Sequence, residues 1–169
     1  MTGADLYETD ILAWCEQQAG ALRELSARRD LPNALDLAHL LEEIEDLGLS
    51  ELNAVKSFIR LILRHAIKCV LDPDARTIRH WHVEINNWQG DLEDRMSASM
   101  HRRIDIDLLW DRAVGQAELD LLEPPRDAAF IAKLRGLRGA PCPISLDDIL
   151  RDPTDPVALV QRLESGLHG

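Results

Sequence analysis

The residues of this chain best suited to chemistry are an acidic run, Glu42, Glu43 and Glu45, and the histidine His65 that follows it. Glu and His side chains from neighbouring helices can hold a divalent metal inside a bundle, and an imidazole beside a carboxylate can act as a general base. Glu42, Glu43, Glu45 and His65 are therefore the metal-ligand candidates, with Glu43 and His65 as candidate catalytic groups. Helical spacing limits them. Glu43 and Glu45 each fall about 100° from the centre of the apolar stripe Leu37, Leu40, Leu41, Ile44 and Leu47, on opposite borders. His39 and Glu42 have i, i+3 spacing but face away from that stripe. His65 shares a face with Phe58, Leu61, Ile62 and Cys69, which predicts a core imidazole hydrogen-bonded to a carboxylate or a carbonyl. His80 and His82 straddle Trp81 and diverge by about 200°. Cys15 and Cys69 lie on apolar faces and read as packing residues. No Gly-rich phosphate loop, GxSxG, HExxH or EF-hand pattern occurs.

Helices must position these groups. Asp36 to Asn53 carries six acids and no Lys or Arg, whereas Ala54 to Val70 carries four bases and no acid. Gly48-Leu49-Ser50 stands between, a C′ glycine followed by a capping serine. This predicts a helical hairpin that turns at Gly48, with Glu42 facing Lys56 and Arg60 reaching Glu42 or Asp36. Arg64 and Lys68 project past it and need partners elsewhere. Before the hairpin, one helix is predicted from Asp5 to Arg28, buried along Tyr7, Ile11, Trp14, Gln18, Ala21, Leu22 and Leu25. Asp30-Leu31-Pro32-Asn33 ends it.

The segment from Phe58 to Leu63 is apolar almost all round and belongs at the centre of the fold. Asp72-Pro73-Asp74 closes it. A fourth helix starts near Thr77, with a seam of Trp81, Ile85, Trp88 and Leu92 and a bend or close contact at Gly90. A fifth spans Asp105 to Leu122, burying Ile106, Leu109, Trp110, Ala113, Ala117 and Leu121, and stops at Pro124-Pro125. Six of the eight prolines lie at or beyond Pro124, so the remaining helices are short: Asp127 to Leu137, a turn capped by Ser145 and Asp148, and a final helix opened by Asp155-Pro156.

The expected fold is all-α: a helical bundle of about five longer helices over residues 1–124, with a short-helix, proline-rich appendage over 125–169 docked on the same domain. The 46 % apolar content fills a core. A net charge of −11 opposes nucleic acid, because repulsion replaces counterion release. Three cysteines form no disulfide framework or metal motif. The sequence shows no secretory signal and no stretch apolar enough for a membrane span, which points to the cytoplasm.

Several residues together resemble the bacterial family called domain of unknown function 29. They are Leu6-Tyr7, Asp10, Trp14 and Gln18-Ala19, then Leu41 to Gly48 with Ser50-Glu51. His65 and Lys68, Trp81 and Ile85, Cys142-Pro143, Ser145-Leu146 and Ile149-Leu150 complete the set. Cys69 stands where the family commonly has an aromatic residue. The resemblance implies an all-helical fold and carries no established activity, cofactor or partner.

The residues thus describe a non-catalytic protein that acts through contacts with a protein partner or a second copy, without cofactor, nucleic acid or membrane. The alternative is a metal-binding protein or enzyme using Glu42, Glu43 or Glu45 with His65. A third possibility is an acidic face that mimics nucleic acid and occupies a basic partner.

Overall fold

The structure, a computed structural model, describes the chain except residues 1, 2, 29, 30, 33, 74, 75, 124, 153 and 169. The expected breaks at Asp30, Asn33, Asp74 and Pro124 lie outside the described residues. Among the described residues every regular element is a helix. The order is α1 (Gly3–Thr9), α2 (Ile11–Ser26), α3 (Leu37–Leu71), α4 (Ile78–Arg95), α5 (Ala98–His101), α6 (Ile106–Leu121), α7 (Ala128–Gly136), α8 (Leu146–Leu150) and α9 (Pro156–His168). The chain divides into two compact units, Met1–Val55 with Met96–Arg103, and Lys56–Arg95 with Ile104–Gly169.

The hairpin expected at Gly48 does not exist. Residues 37–71 form one unbroken helix of 35 residues, about 52 Å long. No proline interrupts it, and strong helix formers flank Gly48 on both sides. Gly48 does not take a positive φ; among the described residues only Gly139 does. Its value here is space. A Cβ at position 48 would stand 3.0 Å from Cβ of Cys15 and 3.3 Å from Cδ1 of Leu12. The glycine therefore lets α2 approach α3 closely, and it is buried in that contact. Glu42 and Lys56 consequently lie along one helix and cannot face each other. Arg60 donates to Ser57 Oγ at 3.3 Å in place of the acids expected for it.

The first predicted helix also divides. Asp10 ends α1 and caps α2, its carboxylate accepting from the Ala13 amide at 3.1 Å. The buried face of α2 is Leu12, Cys15 and Ala19. It lies about 100° round from the expected stripe, whose Tyr7 and Ala21 are exposed. Small side chains on this face suit the close approach to Gly48. Leu52, Val55 and Met100 are the other buried apolar residues among those described in this unit.

The second unit follows the sequence pattern more closely. Ile59, Ile62, Leu63, Ala66 and Ile67 on α3 are fully buried. On α4 the seam Trp81, Ile85 and Leu92 is buried and Trp88 half-buried, while Gly90 makes no close contact. On α6 Leu109, Trp110, Ala113, Ala117 and Leu121 are buried as expected, with Ile106 half-buried. Asp105, Asp127 and Ser145 supply N-caps for α6, α7 and α8, the last as a full capping box with Asp148. Gln89, buried on α4, donates to the Ile149 carbonyl at 2.9 Å and so ties α4 to the end of α8.

Candidate functional site

Three helices of the second unit bring charged groups together in a largely apolar interior. Arg64, His65 and Lys68 leave α3 on adjacent faces. Glu84 stands on α4 between Trp81 and Trp88, three residues after one and four before the other, so it shares their seam. Asp120 lies on α6 beside the buried positions Ala117 and Leu121. Arg64 grips Asp120 with two hydrogen bonds, Nε to Oδ2 at 2.7 Å and Nη2 to Oδ1 at 2.5 Å. Lys68 Nζ sits 3.4 Å from the same carboxylate and 4.6 Å from the centroid of the Trp81 ring. Burial opposes the charge of Asp120, but Arg64 and Lys68 together hold its carboxyl below the usual range.

His65 is the expected core imidazole. Its Nδ1–H donates to the Leu61 carbonyl at 3.0 Å, since the carbonyl can only accept. Nε2 lies 3.1 Å from the Glu84 carboxylate, and the ring meets Trp88 edge to face with centroids 4.8 Å apart. Glu84 also approaches exposed His80, at 3.5 Å. Burial and then the Lys68 cation, helped by Arg64, lower the His65 pKa from its ordinary value, outweighing the Leu61 carbonyl and Glu84.

A depressed histidine pKa means that the unfolded chain takes up the proton first. The contribution of His65 to stability is thus present above about pH 6.5 and lost as pH falls towards the lower folded value. Urea midpoints measured from about pH 8 to about pH 5 should decline more steeply for the native sequence than for His65→Gln. Parallel curves would show that the imidazole does not carry this dependence.

The structure does not bring the acidic run to His65. Glu42 and Glu43 are exposed on α3, and Glu45 is paired with Arg23 of α2. Twenty residues of continuous helix separate Glu45 from His65, on the order of 30 Å. One ion cannot be held by both. Among the described residues no group of three or more His, Cys, Asp or Glu side chains is arranged to hold a metal. Cys15 and Cys69 are buried free thiols, and burial pushes Cys69 up to about 12, as befits packing residues.

The first unit has a second buried polar centre, at Asp10. Its carboxylate receives the Ala13 amide, the Ser97 hydroxyl at 2.8 Å, the Ser99 amide at 2.9 Å and the Ser99 hydroxyl. Burial works against the charge, yet the bonds from Ser99, Ala13 and Ser97 keep its pKa below the usual value. Beside Gly48 lies a crevice of about 270 Å³ whose lining includes Leu12, Cys15, Ala19 and two ion pairs, Arg23–Glu45 and Arg103–Glu16.

The described residues, all-α and with buried charges that join helices to one another, define an all-helical protein in class. The model of the family described as domain of unknown function DUF29 matches residues 6–152, and the chain belongs to that family. It is similar to an alpha-helical protein of unknown function from Rhodospirillum rubrum ATCC 11170, known from a crystal structure at 1.45 Å resolution. The two are 39 % identical, the match covers 93 % of this chain and 96 % of that one, and the TM-score is 0.79. No curated protein matches the chain. Asp10, Gly48, His65, Lys68 and Trp81, which carried the resemblance in sequence, fall at the two buried polar centres and the α2–α3 contact. Among the described residues no helix is long and apolar enough to cross a membrane.

Proposed function

We propose that this protein is a binding module that recruits a protein partner through the first half of α3. The observation that carries the proposal is incomplete coverage of the apolar stripe there. Leu40 and Leu47 are 43 % and 41 % exposed, and Leu37, Leu41 and Ile44 are only half-buried. Leu40 and Leu47 are one heptad apart and so within about 20° of each other around the axis. Aligned leucines left open on a long, stiff helix suit a contact surface better than isolated exposed leucines do. The charges of the second unit, by contrast, are largely matched against one another and serve packing.

A photo-crosslinking residue placed at Leu47 in the source cell should give a protein adduct. The same residue at Leu119, 77 % exposed on α6, should not. Equal labelling at both positions, or none at Leu47, would remove the proposal.

A further inference from the structure

We infer that the occupant of this α3 face is a basic amphipathic helix of a different protein, an inference that rests on the docking role proposed above. Leu40, Ile44 and Leu47 stand at i, i+4 and i+7, the anchor spacing with which one helix receives the apolar face of another. From Leu37 to Leu47 the stripe rises about 15 Å, enough for three turns of a partner.

Charge then selects the partner. Glu43 stands three residues after Leu40 and four before Leu47, within about 60° of both, and is exposed; Asp36, just before α3, is exposed as well and is held by the His39 amide and ring. Glu42 and Asp46 are exposed further round. No Lys or Arg occurs from position 36 to position 53. The nearby arginines Arg23 and Arg103 are engaged with Glu45 and Glu16 and do not neutralise this rim. A symmetric dimer would set this face against itself, acid against acid, and like charges across an interface are costly. An anionic membrane would be repelled by the same carboxylates. Lysines or arginines flanking an apolar stripe fit both the leucines and the rim.

The test uses two synthetic helical peptides of about four turns with identical leucine spacing, one with lysine and one with glutamate at the remaining positions. The full chain should bind the lysine peptide at least about tenfold more tightly than the glutamate peptide. Leu40→Ser/Leu47→Ser and Glu43→Lys/Asp46→Lys should each weaken that binding about tenfold, with circular dichroism unchanged. Raising salt from about 0.1 M to about 1 M shortens the screening length from about 10 Å to about 3 Å and should weaken it as well. Equal binding of the lysine peptide by Leu40→Ser/Leu47→Ser would reveal unspecific charge attraction and overturn the inference. Two outcomes at Leu47 would sink the basic partner while leaving the docking surface intact: an adduct of twice the chain mass, or one whose capture ignores both salt and Glu43→Lys. Absence of any adduct would end both.

Discussion

Asp120→Ala should destabilise the folded protein by about 3 kcal/mol, seen as a lower urea midpoint with an unchanged slope. The substitution leaves Arg64 and Lys68 facing an apolar interior without their shared counter-charge. Removing one partner of a fully buried pair costs about 3–5 kcal/mol. Here the side chains of Arg64 and Asp120 are 29 % and 24 % exposed and that of Lys68 11 %, so solvent screening places the effect at the lower end. Replacing Arg64 and Asp120 together with leucine should recover only the part of the loss that Arg64 carries, because Lys68 still lacks its counter-charge, and adding Lys68→Met should recover more. The carboxyl of Asp120 titrates below its usual value, so its contribution is complete above about pH 4 and disappears as pH falls through the lower folded value. A loss under about 1 kcal/mol would mean that water screens the pair as it does surface ion pairs.

Asp10→Ala should cost a similar amount, about 3 kcal/mol, for a different reason. The cap of α2 accounts for about 1 kcal/mol. The rest comes from the donors of Ser97 and Ser99, which are buried and lose their acceptor. Asp10→Asn can keep an acceptor where Oδ1 stands, for Ala13 and the Ser97 and Ser99 hydroxyls, and sets its NH2 against the Ser99 amide alone, so it should recover a large part of the loss. Hydrogen exchange gives the more specific readout: protection should fall first in α2 and α5, the elements that Asp10 joins. Uniform loss across both units would mean that Asp10 contributes to global stability alone.

The helical class, the α6 core, the helix starts at Asp105 and Asp127 and the cap at Ser145 were legible because period and capping chemistry are local signals. His65 was legible too, since four apolar neighbours on one face leave an imidazole few places to go. A carboxylate or carbonyl partner was expected, and both occur, but Glu84 was not singled out for His65, nor Asp120 for Arg64 and Lys68. Glu84 sits on the Trp81–Trp88 seam, and Asp120 beside buried Ala117 and Leu121. A carboxylate inside an apolar stripe was the available signal. Which cation it meets depends on how α3, α4 and α6 pack, and no single helix encodes that. The break at Asp10 was hidden because hydrophobic periodicity continues across it, although aspartate three residues before Ala13 has the form of a cap. Glu42, Glu43 and Glu45 drew attention as possible ligands because acids cluster there in sequence. Clustering along a helix scatters side chains around it, and only the tertiary contact with Arg23 decides where Glu45 points.

Glycine beside a polar residue signals a helix end when backbone freedom is what the site needs, and a helix crossing when volume is. At Gly48 the second applies, with Cβ of Cys15 standing where a side chain would go. Positions 15 and 48 therefore compete for one small volume. A relative that enlarges one should be found to shrink the other, or to hold the two helices further apart.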